Sequence, residues 1–156
     1  MSEKSRQYEL MHKQLSVLLS GETDPMPNLS NTAALIFNAL PQVSWAGFYL
    51  IRDNNTLLLG PFQGKPACIR IPLGKGVCGT AAQTRQPQVV PDVHLFPGHI
   101  ACDSASESEI VLPMLHDGRV IGVLDLDSTV KNRFDLEDCD GLQTLVDLLI
   151  ASCEWN

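Results

Sequence analysis

The sequence predicts an α+β domain in which helices pack on an antiparallel sheet of about six strands. Three observations indicate this fold class: amphipathic helices at both ends of the chain, about six strand-like segments between them, and hairpin turns that link most of those segments. The 156 residues have the length of one domain, taken here as residues 1–156. With 44% hydrophobic and 19% charged residues, the chain can bury a full core.

Apolar periodicity and capping residues define two helices near the N-terminus. The first covers about Glu3–Leu19, and its predicted buried stripe consists of Tyr8, Met11, Leu15, Leu18 and Leu19. After a loop that contains two prolines, Ser30 is the expected N-cap of the second helix. That helix is predicted to end before Pro41, because proline cannot continue it.

Two more helices are predicted further along the chain. The run GKGVCGTAAQTRQ, which begins at Gly74, is typical of a helix that opens with glycines. The last helix begins after an N-cap at Asp135 and reaches about Cys153. Its apolar face comprises Leu142, Leu145, Val146 and Leu149.

The strands are indicated by β-branched and aromatic residues and by alternating polarity. They are predicted at Val43–Ile51, Thr56–Phe62, Ala67–Leu73, Gln88–Val90, Glu109–Leu115 and Arg119–Ser128. The turn Asp53-Asn54-Asn55 joins the first two strands, and Asp117-Gly118 joins the last two. A long loop, Pro91–Ser108, separates the fourth strand from the fifth, and loops of this length in a compact domain are usually functional.

Charge and hydropathy argue against several classes of partner. The net charge is −7, and the acidic residues are concentrated after Cys78. This acidic half disfavours binding to nucleic acid or to an anionic membrane and suits a cationic or ammonium-bearing ligand. No apolar run reaches the ~20 residues of a membrane span, and the polar N-terminus lacks the apolar core of a signal peptide. We therefore expect a cytoplasmic protein.

The cysteine pattern does not predict a static disulfide framework or a zinc site. The five cysteines are Cys68, Cys78, Cys102, Cys139 and Cys153. Their number is odd, the expected compartment is reducing, and no pair has CxxC spacing. Most cysteines of this kind are small buried hydrophobes, and Cys139 and Cys153 in the last helix are interpreted in this way.

Cys102 is the strongest candidate for a reactive thiol, because it lies in the long loop where a small molecule can reach it. His99, three residues earlier, would be placed to assist this thiol, although an exposed loop histidine is the simpler interpretation. Cys78 follows Gly76 at the start of a helix, where the helix dipole favours an anion. Cys68 falls on the predicted third strand. Spacing alone does not establish that the three cysteines meet.

Acidic residues cluster on the last two strands. Asp125 and Asp127 project from one face of their strand, the face predicted to carry Ile121 and Val123. Two carboxylates on an apolar face are costly unless they bind a cation or one is protonated. The alternative is that the strand ends before them and both are solvated turn residues. Glu109, which opens the neighbouring strand, would lie close to them or be an exposed strand-end charge.

Trp45 and Tyr49 lie four residues apart on the first strand and therefore on one face. They are either core residues or part of an aromatic box for a methyl or ammonium group. The glycines Gly74, Gly76 and Gly79 fit no phosphate-binding loop, and neither a serine nucleophile elbow nor an HExxH motif is present.

Several long runs of this sequence resemble the free methionine-(R)-sulfoxide reductases, which are stand-alone GAF-domain enzymes. These runs are SWAGFYL, GKGVCGTAAQT, VVPDVHLFPGHIACDSASESEIVLPM, GRVIGVLDLDS and FDLEDCDGL. The resemblance extends from the first helix to the last and implies a GAF-like fold. It also implies reduction of free L-methionine (R)-sulfoxide, but not of the peptide-bound form, with thioredoxin as the reductant and without a metal or organic cofactor.

The resemblance assigns a role to each matching cysteine. Cys102 matches the nucleophile that attacks the sulfoxide sulfur and becomes a sulfenic acid. Cys68 matches the resolving cysteine, which would form a disulfide with it. Cys78 matches a third redox cysteine that takes part in disulfide exchange.

The same resemblance assigns five residues to the substrate pocket. Glu109, Asp125 and Asp127 match its acids, and Trp45 and Tyr49 match its aromatic wall. One aspartate would protonate the sulfoxide oxygen while Glu109 sets its proton affinity. The sequence does not say which aspartate is the donor. Trp45 would hold the methyl and thioether end of the substrate.

Two alternatives belong to other functional classes. One is a non-catalytic GAF sensor that binds a small ligand, although such domains are usually attached to an output domain. The other is a redox sensor or metal-binding protein that uses the cysteines without turnover. The resemblance also allows a homodimer, for which no surface in the sequence gives support.

Overall fold

A computed structural model describes residues 1–53 and 55–156 and confirms the α+β class. Its six strands form one sheet in which all neighbours are antiparallel, in the order β3-β2-β1-β6-β5-β4. The strands are β1 Trp45–Arg52, β2 Thr56–Gln63, β3 Arg70–Pro72, β4 Gln88–Val90, β5 Ser108–His116 and β6 Arg119–Ser128. Asn54, the middle residue of the predicted first turn, lies outside the described residues.

The described residues form four α-helices, α1 Glu3–Leu18, α2 Pro25–Ala39, α3 Gly76–Thr84 and α4 Leu136–Ser152, and a short 3₁₀ helix covers Val93–Leu95 within the long loop. In the described part of the chain, α2 and α4 pack on one face of this sheet, α3 packs on the other, and α1 packs on α2 and α4. As the sequence predicts, Asp135 is the N-cap of α4, and its side chain accepts a hydrogen bond from the Asp138 backbone. Among the described residues, no helix is both long enough and apolar enough to cross a bilayer.

Helix α2 begins six residues earlier than the sequence predicts. Asp24, not Ser30, is its N-cap, and the Asp24 side chain accepts a hydrogen bond from the backbone N–H of Met26 at 3.0 Å. Pro25 occupies the first turn, where a proline is tolerated because those N–H groups have no helical partner. Ser30 is inside the helix, and its hydroxyl donates to the Met26 carbonyl at 2.9 Å.

Two other local predictions are wrong. Leu18 is 44% exposed, because it is the last residue of α1 and lies at the edge of the stripe that buries Tyr8, Met11, Leu15 and Leu19. Strand β3 covers only three residues, so Cys68 precedes it and is not part of it.

Strand alternation divides the core into two layers. Leu124 and Leu126 join the cluster beneath α1, α2 and α4, whereas Val123 joins the cluster beneath α3. Ile121 does not share the face of Val123, contrary to the prediction, and packs against the first cluster. The register of β5 and β6 shifts next to it, and a bulge of this kind changes the face to which a side chain points.

Candidate active site

The carboxyl groups of β5 and β6 meet on the α3 side of the sheet. Glu109 pairs directly with Asp127, and Asp125 lies two residues earlier on the same face of β6. Glu109 is buried, Asp125 is only 5% exposed, and β6 continues to Ser128. The interpretation of these residues as solvated turn or strand-end charges is therefore wrong, and we call the three residues the carboxyl cluster.

Burial gives the carboxyl cluster unusual proton affinities. It raises the pKa of Glu109, Asp125 and Asp127 well above the ordinary carboxyl range, and the negative charges of their neighbours raise each of them further. Asp125 Oδ1 is buried and has no hydrogen-bond partner. The raised pKa values favour the protonated forms of these carboxyl groups, as the role of a general acid requires.

Cys78 and Tyr49 lie beside the carboxyl cluster. The pKa of the Cys78 thiol is raised well above its usual value by burial and then by the charges of Asp125 and Glu109. The expectation that the helix dipole would favour a thiolate at Cys78 is therefore wrong, because burial and the carboxyl groups outweigh the dipole. Burial and the charge of Asp125 also raise the pKa of Tyr49.

The structure contains one disulfide, between Cys68 and Cys102, with their Cα atoms 5.5 Å apart. This is the pair that the family resemblance implies. Cys78, Cys139 and Cys153 are free thiols, and the last two pack against the larger core cluster, in agreement with their predicted packing role. The disulfide ties the exposed tip of the long loop to the segment before β3.

The same loop brings His99 to the carboxyl cluster. The His99 side chain is only 16% exposed, so the exposed-histidine interpretation is wrong, and its Nε2 lies 3.6 Å from Glu109 Oε1. Burial lowers the pKa of His99. The next residue, Ile100, packs on Gly76, where a Cβ atom would lie 3.0 Å from the Ile100 side chain and the positive φ of 62° favours glycine.

The aromatic residues form a fixed wall. Trp45 stacks on Tyr49 with ring centroids 6.0 Å apart, and both rings are buried. Trp45 Nε1–H donates to the Lys65 carbonyl at 3.0 Å, and the Tyr49 hydroxyl donates to the Cys68 carbonyl at 2.8 Å. Tyr49 thus links the wall directly to the backbone of a cysteine in the disulfide.

Phe62 completes this wall and was not predicted. Its ring stacks on Trp45 at a centroid distance of 5.2 Å. A signal was present in the sequence, because Gly47 faces Phe62 across β1 and β2. A Cβ atom at Gly47 would lie 2.7 Å from the Trp45 ring, so only glycine leaves room for the stack.

Most of these groups, although not Phe62, line a cavity of about 40 Å³, which is room for a few water molecules. Seven of the eight predicted site residues line it, and the eighth, Cys68, is joined to it through the disulfide. The sequence analysis missed two lysines at this cavity, Lys65 and Lys75, and the apolar residues Ile71 and Val77. Lysines are so common on surfaces that their type alone gave no signal.

Among residues 1–53 and 55–156, two groups of side chains have the spacing of metal ligands. The ligand atoms of Cys78, Glu109 and Asp125 lie within 4.8 Å of one another, as do those of Asp92, His94 and Glu107. A metal at the first group would require a thiolate and two carboxylates, whereas burial favours the protonated form of all three. The expected absence of a metal stays a prediction.

The chain is similar to known proteins over most of its length. A profile of the GAF domain matches residues 28–152. The free methionine-R-sulfoxide reductase of Escherichia coli (strain K12) is 54% identical over 143 residues, which cover 92% of this chain and 86% of that protein. The free methionine-R-sulfoxide reductase of Saccharomyces cerevisiae is 48% identical over 146 residues, which cover 89% and 81%.

A solved structure extends the similarity to the fold. It is the X-ray structure of free methionine-R-sulfoxide reductase from Neisseria meningitidis in complex with its substrate, with a TM-score of 0.93 at 44% identity. The match covers 97% of this chain and 91% of that chain. The chain therefore belongs to the free methionine-(R)-sulfoxide reductase family of GAF-domain enzymes.

Proposed function

We propose that this chain reduces free L-methionine (R)-sulfoxide to L-methionine, with Cys102 as the nucleophile. The observation that carries the proposal is the Cys68–Cys102 disulfide beside a cavity that is lined by a buried, proton-retaining carboxyl cluster. The reaction needs a thiol whose sulfenic acid a neighbouring thiol can convert to a disulfide, and an acid that protonates an oxygen. Both requirements are met within one cavity.

In the first step, the Cys102 thiolate attacks the sulfoxide sulfur while Asp125 or Asp127 donates a proton to the sulfoxide oxygen. The S–O bond of the substrate breaks, its hydroxyl group is transferred to the Cys102 sulfur to form a sulfenic acid, and methionine leaves. The sulfoxide is reduced by two electrons and the cysteine sulfur is oxidised by two electrons. The acid regains its proton when the regenerated Cys102 thiol ionises at the start of the next turnover.

In the second step, the Cys68 thiol displaces water from the sulfenic acid and forms the disulfide. A dithiol, thioredoxin in this proposal, then reduces the disulfide by two thiol exchanges and regenerates both thiols. Cys78 takes part in disulfide exchange, as the family resemblance implies. Its thiol is buried beside Asp125, so it reacts only after the neighbouring groups move.

Substrate selection follows from the walls of the same cavity. Trp45, supported by its stack on Phe62, and Tyr49 supply an apolar surface for the methyl and thioether end of the substrate. The carboxyl cluster suits its polar sulfoxide and ammonium groups. The loop tied down by Cys102 would exclude a polypeptide on either side of the methionine, which explains a preference for the free amino acid. We also propose that residues 1–156 form one GAF domain that acts in the reducing cytoplasm.

The test is NADPH oxidation coupled through thioredoxin and its reductase, with the (R) epimer, the (S) epimer and a peptide-bound sulfoxide as parallel substrates. We expect consumption with the free (R) epimer alone. Absence of turnover in folded, reduced protein would refute the reductase and favour the ligand-sensing GAF alternative. Stoichiometric zinc in protein purified without chelator would favour the metal-binding alternative.

The two cysteines of the disulfide are expected to differ in their requirement for thioredoxin. Cys102→Ser should reduce turnover by at least about 10³-fold with either dithiothreitol or thioredoxin, because it removes the nucleophile. Cys68→Ser should reduce thioredoxin-driven turnover much more than dithiothreitol-driven turnover, because a small thiol can reduce the sulfenic acid directly. Equal losses with both reductants in Cys68→Ser would argue against a resolving role, and Cys139→Ser serves as the matched control.

A further inference from the structure

The disulfide between Cys68 and Cys102 has to be opened in every turnover by a reductant that comes from outside the chain. A protein dithiol must bring its own thiolate into line with one of the two sulfur atoms. Cys68 is partly exposed and Cys102 is exposed, so a partner can reach the disulfide. The surface beside these two cysteines is therefore where such a reductant has to dock.

Ile69, the residue after Cys68, presents an apolar side chain beside the disulfide. Its side chain is 65% exposed, although most isoleucines are buried. Single exposed apolar residues are common on protein surfaces, but the backbone fixes the position of this one. The Ile69 carbonyl accepts a hydrogen bond from the Leu59 N–H on β2 at 2.9 Å. Ile69 therefore offers a fixed apolar contact, one residue from the disulfide, that a partner can bury.

The edge of the sheet next to Cys68 is open. Strand β3 is the outermost strand, with β2 as its neighbour. Hydrogen bonds alternate along an antiparallel ladder, and Ile69 bonds to Leu59, so the N–H and C=O groups of Arg70 point away from β2. An open edge of this kind can pair with an extended backbone segment of another protein. A segment paired there would run along β3 and past Cys68.

The same segment is basic, although the protein as a whole is acidic. Residues 63–75 contain Lys65, Arg70 and Lys75 and no acidic residue, whereas the chain has a net charge of −7. All three residues are exposed. Within residues 1–53 and 55–156, none of them has a carboxylate oxygen within 4 Å of its charged group. Their charge is therefore available to attract a partner that has an acidic face.

We propose that Ile69 and Arg70 form the docking surface for a protein dithiol with an acidic face, which opens the disulfide by attacking Cys68. This docking surface deepens the proposed function and rests on it for its part in the catalytic cycle. The isoleucine supplies an apolar contact, the open edge supplies backbone partners, and the cations guide the encounter. Cys68 is the sulfur that is attacked, because it directly precedes the surface in the chain.

Two thiol exchanges move two electrons from the partner to this chain. In the first, a thiolate of the partner attacks the Cys68 sulfur and the Cys68–Cys102 bond breaks. The electron pair of that bond leaves on Cys102, which takes up the proton that the attacking thiol has lost. In the second, the other partner thiol attacks the partner sulfur of the mixed disulfide, and Cys68 leaves with its proton. The partner is oxidised to a disulfide, and both cysteines end as thiols.

The first experiment measures reduction of the disulfide form without any sulfoxide. The protein is mixed with thioredoxin, its reductase and NADPH, and the second-order rate constant is taken from NADPH oxidation. We expect reduction to be about 10-fold slower in Ile69→Glu, which puts a charge in place of the apolar contact. We expect it to be about 3-fold slower in Arg70→Glu, with a smaller effect at high salt. Dithiothreitol should reduce both variants within about twofold of the wild-type rate, because a small thiol needs no docking surface.

Two matched controls change the charge by the same amount elsewhere on the surface. Val17→Glu replaces an apolar residue of α1 that is 77% exposed, and Arg119→Glu reverses an exposed arginine at the start of β6. Thioredoxin should reduce both controls at the wild-type rate. Slowing in the controls equal to that in the Ile69 and Arg70 variants would overturn the proposal, because net charge would then explain it. Wild-type rates in both test variants, or equal slowing with dithiothreitol, would also overturn it.

The trapped intermediate tests the docking surface without rates. A thioredoxin variant whose second cysteine is serine should stop at the mixed disulfide, and peptide mass spectrometry should locate that bond on Cys68. The Arg70 amide hydrogen should exchange more slowly in this complex than in the disulfide form alone, because a partner carbonyl accepts from it. A mixed disulfide on Cys102, or unchanged exchange at Arg70, would overturn the proposal.

Failure of the docking surface and failure of the reductase give different results. A disulfide that thioredoxin reduces quickly in wild type and slowly in Ile69→Glu supports the docking surface, even in protein that turns over no sulfoxide. A wild-type disulfide that dithiothreitol reduces and thioredoxin does not would overturn the docking surface. Turnover of the sulfoxide with dithiothreitol would in that case still support the reductase.

Discussion

The molecule buries carboxyl groups in two places and treats them in opposite ways. Asp138, on α4, is 1% exposed and is surrounded by donors: the Tyr8 hydroxyl at 2.7 Å, the Lys4 ammonium at 2.7 Å and the Arg133 guanidinium at 3.5 Å. The carboxyl cluster has no comparable set of donors. Among the basic side chains of the described residues, only that of His99 lies within 4 Å of a carboxyl oxygen of the cluster. Asp125 Oδ1 has no hydrogen-bond partner among the described residues.

This difference separates a carboxylate that holds the fold together from carboxyl groups that are available to a ligand. A buried charge is tolerated when hydrogen bonds and opposite charges replace its water, and Asp138 receives both from α1 and from the segment before α4. In the carboxyl cluster, burial instead favours the protonated, uncharged form of the carboxyl groups. A group that is short of partners can bind a ligand and give up a proton, whereas Asp138 has no capacity left for either.

The largest expected effect follows from removing the aspartates of the carboxyl cluster. Asp125→Asn and Asp127→Asn each remove a carboxyl group while keeping its shape, and loss of the proton donor should reduce kcat by about 10²–10⁴-fold. The variant with the greater loss identifies the donor, which the sequence leaves open. Thermal unfolding should show no loss of stability, because the buried carboxyl was poorly compensated. Unchanged kinetics in both variants would place the donor elsewhere.

The opposite result is expected at Asp138, whose carboxylate has hydrogen-bond and charge partners. Asp138→Asn removes the charge that Tyr8, Lys4 and Arg133 share, and breaking a buried pair typically destabilises a protein by about 3–5 kcal/mol. Urea denaturation should show this loss, while kcat per folded molecule stays at the wild-type value. Asp135→Asn is the control, because Asp135 contacts the same lysine but is 55% exposed, and asparagine also caps helices. A loss in Asp135→Asn as large as in Asp138→Asn would remove the distinction between the two sites.

The parts of the fold that depend on local rules were predictable from the sequence. Alternation along β6 placed Asp125 and Asp127 on one face and the neighbouring Leu124 and Leu126 on the other. Capping chemistry gave the start of α4 at Asp135. The dipeptide Asp117-Gly118 marked the turn of the β5–β6 hairpin.

What the sequence did not reveal depends on contacts between distant segments. The bulge that turns Ile121 to the other face arises from the register between two strands, not from either strand alone. Two of the partners of Asp138, Tyr8 and Lys4, are about 130 positions away in the sequence, and the contact between His99 and Glu109 requires the loop to fold back on the sheet. The cysteine pairing followed from the family resemblance, since spacing could not establish it.

The smallest expected effect concerns how stability depends on pH. The pKa values of Glu109, Asp125 and Asp127 are raised in the folded state, so the folded protein retains protons that the unfolded chain releases above about pH 4. The cluster costs nothing below that pH, where both states are protonated, and it lowers the free energy of unfolding as pH rises towards the raised pKa values. Glu109→Gln removes one of these groups. Its stability relative to wild type should therefore be near zero at pH 4 and favourable by about 1 kcal/mol at pH 7, the order of one pKa unit.

Urea denaturation of both proteins in the disulfide form at several pH values measures this difference. Comparing the two proteins cancels the contributions of Asp92 and Asp135, whose pKa values are lowered and whose pH dependence has the opposite sign. A difference that does not change with pH would mean that the folded and unfolded states bind protons equally at Glu109. The carboxyl cluster would then be as well compensated as Asp138, and the contrast between the two buried sites would have to be explained by something other than protons.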